Sequence, residues 1–245
     1  MFKKILLISI AVLLLAYLVF TLFFMGSFTK KEAICKDIRV DVMDTLDRHY
    51  MTGKDIINTI NKAGLSPVGK DLATINPAII EAKLEENRLI KKAECFKTVD
   101  GIIRVKVYQR MPILRVFTAN GSYYIDSEGE KMPVPAGFAA YVPVANGYIE
   151  DEYAKKQLYE FALFLQQDKF WNSQIKQIYV AQNGDVELTP AVGSHQIVLG
   201  PMEDYRENLE KLRLFYDKGL NKVGWNRYSV INLKFKNQVV GTKKS

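Results

Sequence analysis

The sequence predicts an α+β protein: a single N-terminal transmembrane helix, a strand-helix-helix-strand-strand module, and a mainly antiparallel β domain with flanking helices. Three observations carry this. The run Ile5 to Met25 holds 21 residues without a charge. From Cys35 to Gln109, period-two segments bracket two segments of helical period. After Pro112, short period-two segments alternate with glycine turn signals. The chain has 245 residues, 48% hydrophobic and 25% charged, which suffices for a packed core. Its formal charge is +7, but no run of five basic residues occurs, so the excess specifies no polyanion.

The apolar run comes first. A helix of that length spans roughly 31 Å, the hydrocarbon thickness of a bilayer. Signal peptides have shorter apolar cores and a small-x-small cleavage site. The exit here reads "FFMGSFTKK", so an uncleaved anchor over 5–25 is expected, with a tail at 1–4 and a linker at 26–34. Lysines flank both ends and leave the positive-inside rule nearly balanced. The long hydrophilic body is the exported part of a signal-anchor protein, so Thr29 to Ser245 is expected outside the cytoplasm. Cys35 and Cys95 then face an oxidising compartment, as a disulfide or as two buried thiols.

The first module is expected over 35–110. "CKDIRVDVM" alternates Ile38, Val40 and Val42 against charged neighbours and reads as a strand. "MTGKDIINTINKAG" has Thr52 and Asp55 as a capping-box-like start, an Ile56, Ile57, Ile60 stripe and Gly64 as its stop. Asn76-Pro77 opens a second helix. "LIKKAECFKTV" and "GIIRVKVYQR" are strands joined at Asp100-Gly101.

The β domain is expected over 111–241, with a tail at 242–245. "ILRVFT", "SYYID" and "EKMPV" are short strands separated by Asn120-Gly121 and Ser127-Glu128-Gly129. "EYAKKQLYEFALFLQQ" is a helix with Ala154, Leu158, Phe161, Ala162 and Leu165 on one face. A hairpin turning at Asn183-Gly184 and the strand "HQIVLG" follow. Next comes a helix with Tyr205, Leu209, Leu212 and Tyr216 on one face and Gly219 as its stop. The closing stretch, Ser229 to Val240, sets Ile231, Leu233, Phe235 and Val239 against Asn232, Lys234, Lys236 and Gln238, and reads as one half-buried edge strand.

Chemistry is sparse. His49 and His195 stand apart from any Cys, His or carboxylate at metal-ligand spacing. Asp126, Glu128 and Glu130 alternate, as an acid-base pair or calcium ligands could, but turn chemistry explains them. Their replacement by alanine is expected to cost little. Interleaved basic and aromatic residues follow the period of any strand with a wet face, so no nucleic-acid partner is expected. No catalytic residue, cofactor, metal or small-molecule substrate is expected.

The order of elements resembles the bacterial divisome family FtsQ (DivIB), whose first exported module is a POTRA domain. The resemblance rests on "QRMPILRVF" at the junction, with its Arg-x-Pro motif, and on "YYIDSEGEK", "GDVELT", "IVLG" and "INLKFKNQVV". It implies a non-enzymatic scaffold of the septum in the cytoplasmic membrane. Such a scaffold binds FtsB- and FtsL-like proteins and other divisome components, and helps control septal peptidoglycan synthesis. It further implies that the terminal strand takes a partner strand, with Leu233, Phe235, Asn237 and Val239 as contact residues. The competing reading of Lys234 and Lys236 is protection of an edge from aggregation. The competing reading of the chain is a POTRA-bearing factor for protein translocation or outer-membrane assembly.

Overall fold

A computed structural model describes residues 2–28, 33–43 and 50–244. His49 and part of the linker lie outside the described residues. Helix α1 (Phe2–Phe28) has 27 residues. From Ile8 to Phe24 its large apolar side chains are exposed all round. Against the expectation of a transmembrane span stands one finding: among the described residues no helix is long and apolar enough to cross a membrane. The side chains described without interruption in α1 run only from Ile8 to Phe24.

The chain falls into two compact units, one of 1–42, 53–84 and 93–107, the other of 43–52, 85–92 and 108–245. The first carries a sheet ordered β1-β3-β2, from β1 (Asp37–Val42), β2 (Ile90–Lys97) and β3 (Ile102–Gln109). β1 and β3 run parallel, with Asp37 opposite Ile102 and Val42 opposite Val107. That direction requires a crossover, which helices α2 (Gly53–Lys62) and α3 (Pro77–Glu85) lie within. The predicted order of these elements is the observed one. The α3 cap is as expected: Asn76 Oδ1 accepts from Ala78 N at 3.1 Å, and Pro77 takes the first turn, where no backbone donor is needed. Gly64 ends α2 with φ +72°, a conformation a side chain would strain. Ile56, Ile60, Ile80, Leu84, Ile103 and Val105 fill the core. Cys35 and Cys95 are buried free thiols, and burial pushes Cys95 up to about 11, with Glu81 adding to it.

The second unit carries a nine-stranded sheet. Its strands are β4 (Pro112–Thr118), β5 (Gly121–Asp126), β6 (Lys131–Met132), β7 (Val144–Gly147), β8 (Ile175–Val180), β9 (Val186–Pro190), β10 (Gln196–Gly200), β11 (Tyr228–Asn232) and β12 (Val240–Lys243). Their order is β12-β11-β10-β9-β8-β7-β4-β5-β6. Three neighbouring pairs, β4 with β7, β7 with β8 and β10 with β11, are parallel. The last two are the pairs whose strands are joined through helices, which supply the return crossover. The first such connection holds α4 (Asp151–Tyr153), a π turn over Ala154–Leu158, α5 (Tyr159–Gln167) and α6 (Lys169–Gln174). The second holds α7 (Tyr205–Phe215), a π turn over Tyr216–Leu220 and α8 (Asn221–Val223). Leu158, Phe161, Leu165, Leu209, Leu212 and Leu220 pack in one cluster with Leu114, Ile178, Leu188, Ile197 and Ile231.

Three expectations are corrected here. Gly219 does not stop its helix; the chain stays helical through Val223 and ends at Gly224, which has φ +95°. α6 is an additional helix, capped by Asp168, whose Oδ1 accepts from Phe170 N at 2.8 Å and Trp171 N at 3.2 Å. The stretch read as one strand, Ser229 to Val240, is two: β11 ends at Asn232 and β12 begins at Val240. Asn232 Oδ1 turns back to Lys234 N at 3.0 Å, and Asn237 adopts φ +60°, which asparagine tolerates better than most residues. Two local polar side chains thus break a parity pattern that is otherwise continuous.

Candidate partner-binding edge

β12 closes the described sheet and pairs only with β11, Tyr228 opposite Lys243 and Asn232 opposite Val240. Lys244 N donates to Arg227 O at 3.1 Å, so the backbone groups of Lys244, Thr242 and Val240 turn toward β11. Those of Gly241 and Lys243 turn to the open side. The edge is four residues long and carries no proline.

Its backbone is positioned by a glycine. A Cβ at Gly241 would lie 2.5 Å from Tyr228 Cδ1, and the Tyr228 ring packs beside Phe215 at 5.6 Å between centroids. Glycine at 241 therefore lets the ring lie over β12. The loop before β12 is tied down by α7: Lys211 Nζ donates to the carbonyls of Leu233 and Phe235, each at 3.1 Å.

The four residues expected to touch a partner scatter. Leu233 is fully buried in the core, Val239 is half-buried against it, and Asn237 is exposed in the loop. Phe235 is half exposed, at 50%, and is the one large apolar side chain of the four facing water. None belongs to a strand. The edge residues 240–243 escape sequence reasoning because the parity pattern runs straight over the turn. Asn237 in a lysine-rich stretch is the signal that could have marked it.

The charges differ from expectation too. Lys234, read as an edge cation, pairs with Asp185 at 2.6 Å and lowers its carboxyl below the usual range. Lys244 donates to Ser194. Lys236 and Lys243 are exposed.

The carboxylate string of β5 and β6 is a turn, as expected, yet not an inexpensive one. Asp126 is 1% exposed. Its Oδ2 accepts from Arg110 Nη1 at 2.7 Å, and its Oδ1 accepts from the backbone of Glu128 and Glu130 at 2.9 Å each. This burial argues for a larger cost of replacing Asp126 than turn chemistry alone implies, since it would strip a half-buried guanidinium of its partner and two turn N–H groups of their acceptor. His195 is buried, with Nε2 2.8 Å from the Tyr216 hydroxyl. Burial pushes its pKa below the ordinary histidine value, and the Lys244 charge adds to this, against the backbone at Trp225. Among the described residues no group of three metal-ligating side chains forms.

Residues 111–242 match the family model described as FtsQ/DivIB, C-terminal related. The chain belongs to the FtsQ/DivIB family. Residues 33–108 match a POTRA-like domain, so a POTRA-like module precedes the FtsQ/DivIB module. A curated relative, the Cell division protein FtsQ of Rhodothermus marinus, is 27% identical over 186 residues. The match covers 70% of this chain and 67% of that relative.

Proposed function

We propose that this FtsQ/DivIB family member is a non-enzymatic scaffold of the bacterial cell-division machinery, and that its open β12 edge takes a strand from an FtsB- or FtsL-type partner. Family membership supports the division role, and the name of the Rhodothermus relative agrees with it. The observation that carries the edge reading is the unpaired outer side of β12. β-Augmentation there uses the backbone groups of Gly241 and Lys243 for affinity, and side chains beside them for specificity. Phe235, Asn237 and Val239 act from the adjoining loop, and buried Leu233 holds that loop in place. The exposed Lys236 and Lys243 suit a segment carrying carboxylates. α1 is the anchor: its 27 helical residues reach about 40 Å, and the large apolar side chains from Ile8 to Phe24 are exposed. The chain then crosses the cytoplasmic membrane once, with its body outside at the septum, where other divisome components and septal peptidoglycan synthesis are within reach.

The test is Lys243→Pro beside Lys243→Ala. Proline removes the outward backbone donor; alanine keeps it and removes only the charge. Affinity for the partner's exported segment falls about tenfold or more in the proline variant, equivalent to one lost hydrogen bond of about 1.4 kcal/mol. The alanine variant loses less, and both keep the wild-type melting temperature. Equal affinity in the wild type and the proline variant would put the binding surface elsewhere.

A further inference from the structure

One end of the first unit gathers three stretches of chain. Residues 33–36 follow the linker, residues 68–72 precede α3, and residues 98–101 form the turn between β2 and β3. Their association is a backbone network. Cys35 N donates to Lys70 O at 2.8 Å, Gly69 N to Cys35 O at 2.9 Å, Leu72 N to Ala33 O at 2.9 Å and Lys36 N to Gly101 O at 2.8 Å. Gly101 has φ +86°, and a Cβ there would come within 3.4 Å of Ile34 O. The end is thus rigidly cross-tied, and what it presents outward is unusual. Val99 stands wholly in solvent at the hairpin tip, with Ile34 and Val68 exposed on the neighbouring stretches. Core fitting does not account for them, since the core of this unit is filled by other residues.

Charge surrounds these apolar side chains. Among the described residues of this end, Lys36, Arg39, Lys70, Lys97 and Arg104 stand against Asp37, Asp71 and Asp100. Two of the carboxylates are engaged locally: Asp37 pairs with Arg39 at 3.6 Å, and Asp71 accepts from Ala73 N at 2.9 Å. The lysine side chains are exposed. Apolar residues at a tip ringed by cations match a bilayer interface bearing anionic headgroups. Position agrees with chemistry. Only residues 29–32, "TKKE", separate Phe28 at the end of α1 from Ala33. The six steps from Phe28 to Ile34 extend at most about 22 Å, so an anchored α1 holds Ile34 within reach of the headgroups.

From this end we infer that the first unit docks on the membrane surface, with Val99, Ile34 and Val68 entering the interface and Lys36, Lys70 and Lys97 contacting anionic phospholipid headgroups. The inference rests on the reading of α1 as the anchor. Tethering supplies a high effective concentration of lipid, so weak intrinsic affinity suffices. Docking fixes the orientation of the unit relative to the membrane.

The experiment uses the full chain in vesicles of phosphatidylethanolamine and phosphatidylglycerol. An environment-sensitive fluorophore is placed at Val99→Cys or, as a site in the other unit, at Val192→Cys. The labelled wild type supplies the background from the buried native thiols. Flotation comes first: a chain that stays out of the vesicle fraction overturns the anchor reading and takes this inference with it. In a chain that floats, the Val99 probe is shielded from an aqueous quencher severalfold more than the Val192 probe. Changing Lys36, Lys70 and Lys97 together to glutamine removes most of that shielding, because each lysine near an anionic surface is worth about fivefold. Vesicles of phosphatidylcholine alone give little shielding. Equal quenching of the two probes in the anionic vesicles overturns the docking while leaving the anchor intact. Equal shielding in phosphatidylcholine overturns the role assigned to anionic headgroups.

Discussion

The two edges of the nine-stranded sheet are built in opposite ways. At one end β6 is two residues long, and Pro133 follows it directly. Met132 is buried, and Lys131 is drawn across to Asp151 at 2.5 Å with its ammonium 4.2 Å from the Tyr123 ring centre. A short strand, a proline and a committed lysine are the means by which proteins blunt an edge. At the other end β12 has four residues, no proline, and an exposed Val240. The contrast teaches that the two ends are protected unequally: β6 has a proline and a committed lysine, whereas β12 has only its short length and the exposed Lys243, so the more open end is a property to be explained. That is why the function proposed above is placed on β12.

Breaking the closed end should have the largest effect. Asp126→Ala leaves Arg110 without its partner and two turn N–H groups without an acceptor, a loss of about 3 kcal/mol or more. In a unit of this size that lowers the melting temperature by roughly 6–12 °C. Asp126→Asn keeps the acceptor and should recover part of it. A shift for the alanine variant below about 2 °C would contradict the burial argument.

The open end should break more gently and more locally. Gly241→Ala forces the Tyr228 ring aside, at about 1–3 kcal/mol. Hydrogen exchange should speed up over 228–243 and stay unchanged around Asp126. Adding Tyr228→Ala should restore much of the loss, and a purely additive double variant would show that the ring is not the cause.

The smallest effect is in pH. The neutral form of His195 is favoured by folding, since its folded pKa is depressed. The unfolded ring takes up a proton below about pH 6.5. Stability from this group is therefore complete above that pH and is lost as pH falls toward the folded value. Asp185 and Asp168, also depressed, give up their contributions at more acidic pH. Urea midpoints at neutral and mildly acidic pH should diverge in the wild type and converge in His195→Gln. Identical pH slopes in the two proteins would exclude His195 as the source.

What the sequence made legible follows from the range of the forces involved. The Asn76-Pro77 cap, the Asp100-Gly101 and Asn183-Gly184 turns and the apolar stripe of α5 are local, and each stands where it was read. The break between β11 and β12 was not legible, because Ile231, Leu233, Phe235 and Val239 keep one parity through it. What breaks the strand includes Lys211 on α7, distant in sequence. The weight of Asp126 was hidden for the same reason: turn propensity is visible in a string, whereas the burial of its carboxylate against an arginine sixteen residues earlier is not. α6, with six residues, is too short for a period to emerge. Of the four expected contact residues, Leu233 went to the core because alternation distinguishes faces and not whether a strand continues.

From β7 onward, the order of strands across the sheet is their order along the chain: β8, β9, β10, β11 and β12 are each laid beside their predecessor. A strand emerging later during synthesis thus has its neighbour already made, an order that permits assembly to advance in one direction, away from the closed edge. β11 must wait for α7 to form its crossover, and β12 must wait for β11. The edge to which the proposed function assigns a partner is therefore formed by the last of the described strands. A partner strand added to it would be the next step of the same growth, and its capture would report that every earlier step had been completed.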